Sequence, residues 1–534
     1  MSAIVTDQFR ILNANNFVES VEDTNNSYYV FLGLSNPDGI PGLVGYGRSS
    51  DWNTVTPSPT DSFAYLRHSG DTMMFGKKVS SANIRRLIRR VDWVSGNRYE
   101  IYRDDYSPEN QSPITKSNRL YDAQYYVMNS EFKVYVCIDN GSSGINPLGN
   151  VSQDEPLFTD LEPSKAGNSG DGYKWKYLFT VSPSDIIKFD STEFITVPND
   201  WSSSTDSQIR TVRENGNSDV NSNQIKHVYI ENAGIDYDNS PESGSVEVDI
   251  LGDGTGAKAR VTVQGGSITN VTVSNGGKGY TYAMVNLDTI STNVSAQNRA
   301  KLVPIIPPGR GHGDDIYTEL GTDRVMIYSR FDDSTKDFPS DTIFAQVGIV
   351  KNPTKAGTAN TYTDNTYSSL QAIKFNPDTS TGTPIVGEKI TQTVTINNGS
   401  LRIAKGYVSS YDKETKVMKY FRDRSLYFNT GNIAMDQTDF LGITTSTPTF
   451  QFESSESVVS GDESGFSGKV QTNFSGISTN PTGTKLINLG TRFQAGLSDS
   501  EINKGSGQII YLDNRPEIVR SDRQKEDIKI ILEF

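Results

Sequence analysis

An imidazole next to carboxylates can move a proton, and His312-Gly313-Asp314-Asp315 brings one together with two acids. A general base needs a nucleophile to activate, and no serine or cysteine motif is placed to use this one. The chain has only three histidines, His68, His227 and His312, so the turn-rich run at 307–315 reads as a structural junction. Gly252-x-Gly254-x-Gly256 has a glycine spacing that could cradle a phosphate. That use requires a following helix whose free N–H groups face the anion. Here Ala257-Lys258-Ala259-Arg260-Val261-Thr262-Val263 alternates as a strand does, which makes the glycines a turn. Asp249, Asp253 and Asp288 offer oxygens for calcium, but no EF-hand-type loop with a closing glutamate surrounds them, so no metal is expected. The lone cysteine, Cys137, excludes an intrachain disulfide and a cysteine-rich zinc site. Within Phe132-Lys133-Val134-Tyr135-Val136-Cys137-Ile138 it reads as a buried thiol. Glycosidases use two carboxylates about 5–10 Å apart. The 64 acidic residues always supply pairs, yet no motif singles one out. No catalytic residue, no cofactor and no enzymatic activity are therefore expected.

Side chains suited to binding are easier to find. Arg85, Arg86, Arg89 and Arg90 crowd one segment. Ser80 or Ser81 can cap a helix there, and Ile84, Leu87, Ile88 and Val91 fall at i, i+3, i+4 and i+7. The spacing predicts an amphipathic helix with the arginines opposite its apolar stripe. Such a face is either solvated, with Asp92 as a local partner, or a docking surface for an acidic neighbour, because a planar guanidinium suits interface carboxylates. These four arginines are the interface candidates. In a second segment Tyr173, Trp175, Tyr177 and Phe179 alternate with Lys174 and Lys176, predicting a strand whose aromatic side is sheet core rather than a sugar platform. Tyr237, Tyr280 and Tyr282 could stack on sugars or pack the cores of small modules.

All of these groups must be held by β structure. Forty-six glycines, 22 prolines and 26 tyrosines point to short strands joined by many turns. A length of 534 residues allows several cores. The net charge of −14 argues against a nucleic-acid partner, which needs a concentrated basic surface. No run of about 18 apolar residues exists, so no membrane insertion is expected, and no secretory signal is visible at the start. Residues 3–10 read as a strand, as do residues 28–33. Near the end, residues 508–513 read as a strand broken by Asn514-Arg515-Pro516, with a helical turn at 498–502 before it and a last strand at 528–534. In mid-chain, Asn232-Ala233-Gly234-Ile235-Asp236-Tyr237 and Asn275-Gly276-Gly277-Lys278-Gly279-Tyr280 repeat at an offset of 43. Val228 and Ile230 before the first copy correspond to Val271 and Val273 before the second, so this region is expected to be a small β module. A second β module is expected at 374–475, and the Ser/Gly-rich stretch 453–483 reads as a loop.

Several segments taken in chain order also share a pattern: Ile4-Val5-Thr6-x-x-Phe9-Arg10, Pro59-Thr60-Asp61-Ser62, Arg89-Arg90-x-Asp92-Trp93 with Arg98-Tyr99, Gly170-Asp171-Gly172-Tyr173-x-Trp175-x-Tyr177-Leu178-Phe179 leading to Val197-Pro198, and Ile510-Tyr511-x-x-Asn514-Arg515-Pro516. Together they resemble the baseplate wedge subunit family encoded by gene 8 in T4-like contractile-tailed phages. The resemblance covers about 1–215, 312–372 and 490–534. It implies a mostly β fold with a three-layer β-sandwich core and few short helices. Two small inserted β domains, 223–311 and 374–475, would interrupt core segments 1–222, 312–373 and 476–534. The implied role is a structural wedge subunit of the virion's tail baseplate, made and assembled in the bacterial host cytoplasm. It would join neighbouring wedge proteins during tail assembly and move with them in the infection-triggered rearrangement. The implied partners are a second copy, in a homodimer, and wedge proteins resembling the products of genes 10, 7 and 6 in T4 naming. A receptor- or carbohydrate-binding tail protein is the alternative.

Overall fold

The computed structural model describes residues 6–34, 56, 58–217, 222–237, 245–290, 294–332, 343–395, 399, 401–421, 451–481, 483, 486–520 and 524–534. The start of the expected N-terminal strand, residues 3–5, lies outside them. The protein is mostly β, built of several antiparallel sheets. The chain divides into two compact units. The first comprises Met1–Val18, Arg85–Met326 and Ile531–Phe534, and the second Glu19–Ile84 and Ile327–Ile530.

Where a strand is expected at 3–10, the chain forms a helix, Asp7–Glu22. Thr6 starts it, its hydroxyl accepting from Phe9 N at 3.3 Å. The stripe that drives it, Ile11, Ala14 and Val18, is buried and lies downstream of the segment read as a strand. Both ends of the chain belong to the first unit. There Phe534 N donates to Asp323 O at 3.1 Å, and its ring stands 5.5 Å from that of Phe17.

The central sheet of the first unit has three strands, Tyr126–Met128, Lys133–Asn140 and Tyr173–Thr180. Tyr173, Trp175, Tyr177 and Phe179 are all core, as their alternation suggests. Lys176, on the opposite side, is also buried, because that side is covered too. The arginine segment is the clearest correction. Ile84–Arg89 is a strand, entered by a single 3-10 turn at Ser81–Asn83. It pairs antiparallel with Phe194–Val197, Leu87 opposite Thr196 and Ile88 opposite Ile195. The apolar residues of Ile-Arg-Arg-Leu-Ile-Arg fit the helical spacing, but a distant pairing partner overrides that local preference. Also in this unit are the four-stranded sheet of Ser267–Lys278, Thr255–Gln264, Ser245–Gly252 and Ala283–Val285, and the pair Lys301–Pro304 with Val228–Asn232. They share an apolar core of their own.

The second unit holds a five-stranded sheet in the order Thr366–Ser368, Met73–Val79, Tyr28–Gly33, Ile343–Lys351, Gln508–Val519. Phe31 lies between Gly76 and Gly348 on the flanking strands. A Cβ on Gly76 would fall 2.2 Å from the Tyr367 ring, and one on Gly348 would fall 2.4 Å from the Phe31 ring. Side chains at either position would displace the aromatic core. The last strand of this sheet does not stop at Asn514-Arg515-Pro516. Phe344 pairs with Ile518 and Gln346 with Asn514, so two steps on one strand face four on the other. Pro516 sits in that bulge, where its missing N–H costs no ladder bond. A seven-stranded sheet runs Ser467–Lys469, Val458–Gly461, Lys389–Thr395, Leu401–Asp412, Val417–Phe421, Gln371–Lys374, Leu497–Ser498 around a separate apolar cluster. Three short strands thus occupy the 453–483 stretch expected as loop. In place of the helical turn expected at 498–502 is the strand Leu497–Ser498.

Candidate functional site

Each of the four arginines has partners within its own chain. Arg85 Nε is 2.9 Å from Asp185 Oδ2, and its guanidinium lies over the Phe189 ring. Arg86 is buried. Its Nε donates to Asn15 Oδ1 at 2.6 Å, Nη1 reaches Asn199 O at 3.2 Å, and the group stacks 4.2 Å from the Tyr317 ring centroid. Arg90 grips both Asp92 oxygens, at 3.0 and 2.9 Å, and Ser191 O at 3.0 Å. Arg89 is the most open, its side chain 53% exposed and 3.3 Å from Asp122. Strand geometry sends Arg86 to one side and Arg85 and Arg89 to the other, so the four do not form one face.

His312 meets neither aspartate of its own motif. Its Nδ1 is 2.7 Å from Glu319 Oε1, while Gly313 N donates to Glu319 Oε2 at 2.7 Å. The imidazole is edge-on to Tyr102, and both partners are sealed from solvent. Asp315 caps the helix Ile316–Leu320 through Tyr317 N and Thr318 N. Through Glu319, this pair pins the junction. The glycines at 252–256 turn one strand into the next, and a Cβ on Gly254 would fall 2.5 Å from the Tyr280 ring. Asp253 accepts from Thr281 N at 2.9 Å and from the Thr281 hydroxyl, bonds that hold its carboxyl down at about 2. Asp249 pairs with Lys258 at 3.5 Å and Asp288 with Arg299 at 3.5 Å. Among the described residues no group of three or more side chains is arranged to hold a metal. Cys137 is buried, which pushes its thiol up. Of the three tyrosines considered for sugar stacking, Tyr237 and Tyr280 are core and Tyr282 is 63% exposed.

The sequence does not reveal its buried charges. Glu100 is fully buried and accepts from Ile114 N at 3.0 Å, Thr115 N at 2.9 Å and Gln124 N at 2.7 Å. Glu388 does the same for Ile385 N at 3.0 Å and Ser464 N at 2.8 Å. Most of their partners are backbone N–H groups, joined by the hydroxyls of Thr115 and Ser464, and backbone donors leave no side-chain pattern to read. Lys176 donates to Leu161 O at 2.5 Å, and burial depresses its ammonium to about 8 against the attraction of Glu319 and Glu162. His227 is likewise lowered by burial, next to Asp139.

Two grooves lie in the second unit. One, of about 690 Å³, is lined by Leu66, Met73 and residues 505–512, with Asp61 its one carboxylate. The other, of about 540 Å³, contains Asp513, Glu526 and Asp527. Asp527 is gripped by Arg330 at 2.6 and 2.8 Å, which holds its carboxyl near 2, the opposite of what a general acid needs.

What the structure does bring together are the resemblance segments. In the first unit, the Tyr99 hydroxyl accepts from Val94 N at 2.6 Å, and Tyr99 N donates to the Tyr173 hydroxyl at 3.0 Å. The Tyr99 ring is edge-on to Trp175 at 5.7 Å, Trp93 Nε1 donates to Ser152 Oγ at 3.0 Å, and Asp171 accepts from Tyr173 N at 3.0 Å. In the second unit, Ser62 caps the helix Phe63–Thr72, whose Tyr65 hydroxyl accepts from Asn514 Nδ2; Asn514 Oδ1 in turn accepts from Gln346 at 2.9 Å.

No protein-family model matches the chain. Over 220 residues it is 26% identical to the baseplate wedge protein gp8 of Enterobacteria phage T4, an alignment covering 37% of this chain and 60% of that protein. The chain thus spans about 60% of the length of the curated relative it matches. Over that part it is similar to a structural component of a phage baseplate.

Proposed function

We propose that this chain is a structural subunit of the baseplate wedge of a contractile-tailed phage. It joins neighbouring wedge proteins during tail assembly and moves with them when the baseplate rearranges. The observation that carries this reading is the 220-residue similarity to the T4 wedge protein. In support, residues such as Tyr99, Tyr173, Trp175 and Asn514, which carry the resemblance, are tied to one another or to the cores around them. In this reading the protein works as a homodimer, bound to proteins resembling the products of genes 10, 7 and 6. Segments 223–311 and 374–475 are insertions into the wedge core, a reading supported by their separate apolar clusters. Of the arginine candidates, Arg89 keeps the exposure a docking contact needs. A carbohydrate-binding role is less well supported, since it would rest on Tyr282 alone.

The test is reconstitution. Mixed with the three neighbouring wedge proteins of its own phage, the chain should enter a defined complex on size exclusion with light scattering. Remaining free at micromolar concentration would refute the proposal. A polysaccharide-degradation assay should be blank, and turnover abolished by a single carboxylate substitution would reverse the ranking.

A further inference from the structure

The repeat read in the sequence has a counterpart in strand pairing that goes beyond two similar turns. Asn232 Oδ1 accepts from Gly234 N at 2.8 Å, and Asn275 Oδ1 accepts from Gly277 N at 2.9 Å. Gly234 and Gly277 have φ of +64° and +62°, and two positions on Asp236 and Gly279 have φ of +65° and +78°. The surroundings match atom for atom. A Cβ on Gly234 would meet Ala300 N at 2.7 Å and Asn298 O at 2.8 Å, and one on Gly277 would meet Ala257 N at 2.5 Å and Thr255 O at 2.6 Å. Ala257 and Ala300, like Thr255 and Asn298, are again 43 residues apart.

The registers obey the same rule. Lys258 pairs with Asn275, Ala259 with Val273, Arg260 with Thr272 and Val261 with Val271. Moving each partner by 43 gives Lys301 with Asn232, Leu302 with Ile230, Val303 with Tyr229 and Pro304 with Val228, and those are the observed pairs. Even the irregularity is repeated, after Lys258 in one ladder and after Lys301 in the other. The first strand of each half therefore pairs with the third strand of the other half. The two middle strands, Ser245–Gly252 and Ala283–Val285, pair with each other. Ser267–Lys278, Thr255–Gln264, Ser245–Gly252 and Ala283–Val285 form one sheet and Lys301–Pro304 with Val228–Asn232 a second, and the two share one apolar core. The caps cross over as well. The Tyr237 hydroxyl accepts from Ala300 N at 2.8 Å, and the Tyr280 hydroxyl from Ala257 N at 3.1 Å.

We infer that residues 225–264 and 268–304 are two copies of one three-stranded unit, and that the inner surface of each copy is a binding site for the other, so that the module is a dimer of like units fused in one chain. Neither copy is complete alone. Its first strand has its ladder, and its tyrosine hydroxyl the amide it caps, only in the other copy.

Peptide-resolved amide hydrogen exchange on the full-length chain tests this. Tyr237→Phe should speed exchange at Ala300, in the other copy, about fivefold, the effect of losing one hydrogen bond, and leave Ala257 at its parent rate. Tyr280→Phe should do the reverse. If each substitution speeds exchange only around its own turn, at 232–237 or 275–280, the copies are neighbours rather than partners and the inference fails. A second variant guards against unfolding. Ala233→Gly with Ile235→Lys and Asp236→Gly writes the second copy's turn into the first, and should leave protection at Ala257 and Ala300 unchanged. Loss of protection at both amides would show that the positions are not equivalent and would overturn the inference.

Discussion

Lys176 offers a prediction whose sign and size both follow from its surroundings. It lies on the central sheet of the first unit at 1% exposure, with its ammonium depressed from 10.5 to about 8 by burial. At about 1.4 kcal/mol for each pH unit, keeping that charge inside costs the folded state about 3 kcal/mol at neutral pH. Methionine preserves the length of the stem and removes the charge. The hydrogen bond to Leu161 O would be lost, but Asn215 Nδ2 also donates to that oxygen at 3.1 Å, so the carbonyl stays satisfied. Setting about 1 kcal/mol for the lost bond against the relieved burial, Lys176→Met should stabilise the first unit by about 2 kcal/mol at pH 7. The pH dependence gives a second check. Below about 8 the lysine is protonated in both states; between about 8 and 10.5 the folded state has released its proton and the unfolded chain has not. The unfolded state then binds more protons, so parent stability rises with pH across that window and the advantage of methionine shrinks. Urea unfolding followed by tryptophan fluorescence at pH 7 and pH 9.5 reads the effect, because Trp93, Trp175 and Trp201 belong to the first unit. A variant less stable than the parent at pH 7, or a difference that does not change with pH, would refute the reasoning.

Glu100→Gln should destabilise the first unit by about 3 kcal/mol in the same assay, because an amide turned toward Ile114 N, Thr115 N and Gln124 N cannot accept from all three; a loss below about 0.5 kcal/mol would count against it. Gly76→Ala should lower the melting transition of the second unit by more than about 2 kcal/mol in calorimetry, since its Cβ would overlap the Tyr367 ring. Pro516→Ala should change that transition by less than about 0.5 kcal/mol if the bulge makes the missing N–H harmless; a stabilisation above about 1 kcal/mol would mean that a ladder bond is being withheld.

The parts of the fold legible in the sequence are those where the local pattern and the distant partner agree. Tyr173-Lys174-Trp175-Lys176-Tyr177 alternates cleanly, and its aromatic side is core. Alternation shows which residues share a side but not whether that side is covered, so Lys176 could not be recognised as buried. At Ile84–Arg89 the spacing fits a helix, and the strand at Phe194–Val197, more than a hundred residues away, overrides it. At Pro516 the rule that proline ends a strand gave way because a bulge removed the need for its N–H. His312 and the arginines illustrate one limit of reading a sequence. Sequence shows which charged groups are neighbours along the chain, whereas His312 faces Glu319 across a helix cap, and Arg86 faces Asn15 and Asn199 from distant segments.

The buried polar groups also bear on what kind of object this protein is. Glu100, Glu319 and Glu388 each take backbone N–H groups from loops that carry few apolar side chains of their own. A loop held by a buried carboxyl group cannot shift without leaving buried polar groups unpaired, which is far more costly than a small rearrangement of apolar contacts. Such loops therefore move with the sheets that carry them. For the wedge subunit proposed above, which would pass a displacement from one neighbour to another, this would be the useful property. The strain of rearrangement then falls on the surfaces between proteins, where contacts can be exchanged, rather than inside the subunit. On this argument, substitutions at the three glutamates weaken the subunit as a body, whereas substitutions at exposed groups such as Arg89 alter its assembly and leave its melting unchanged.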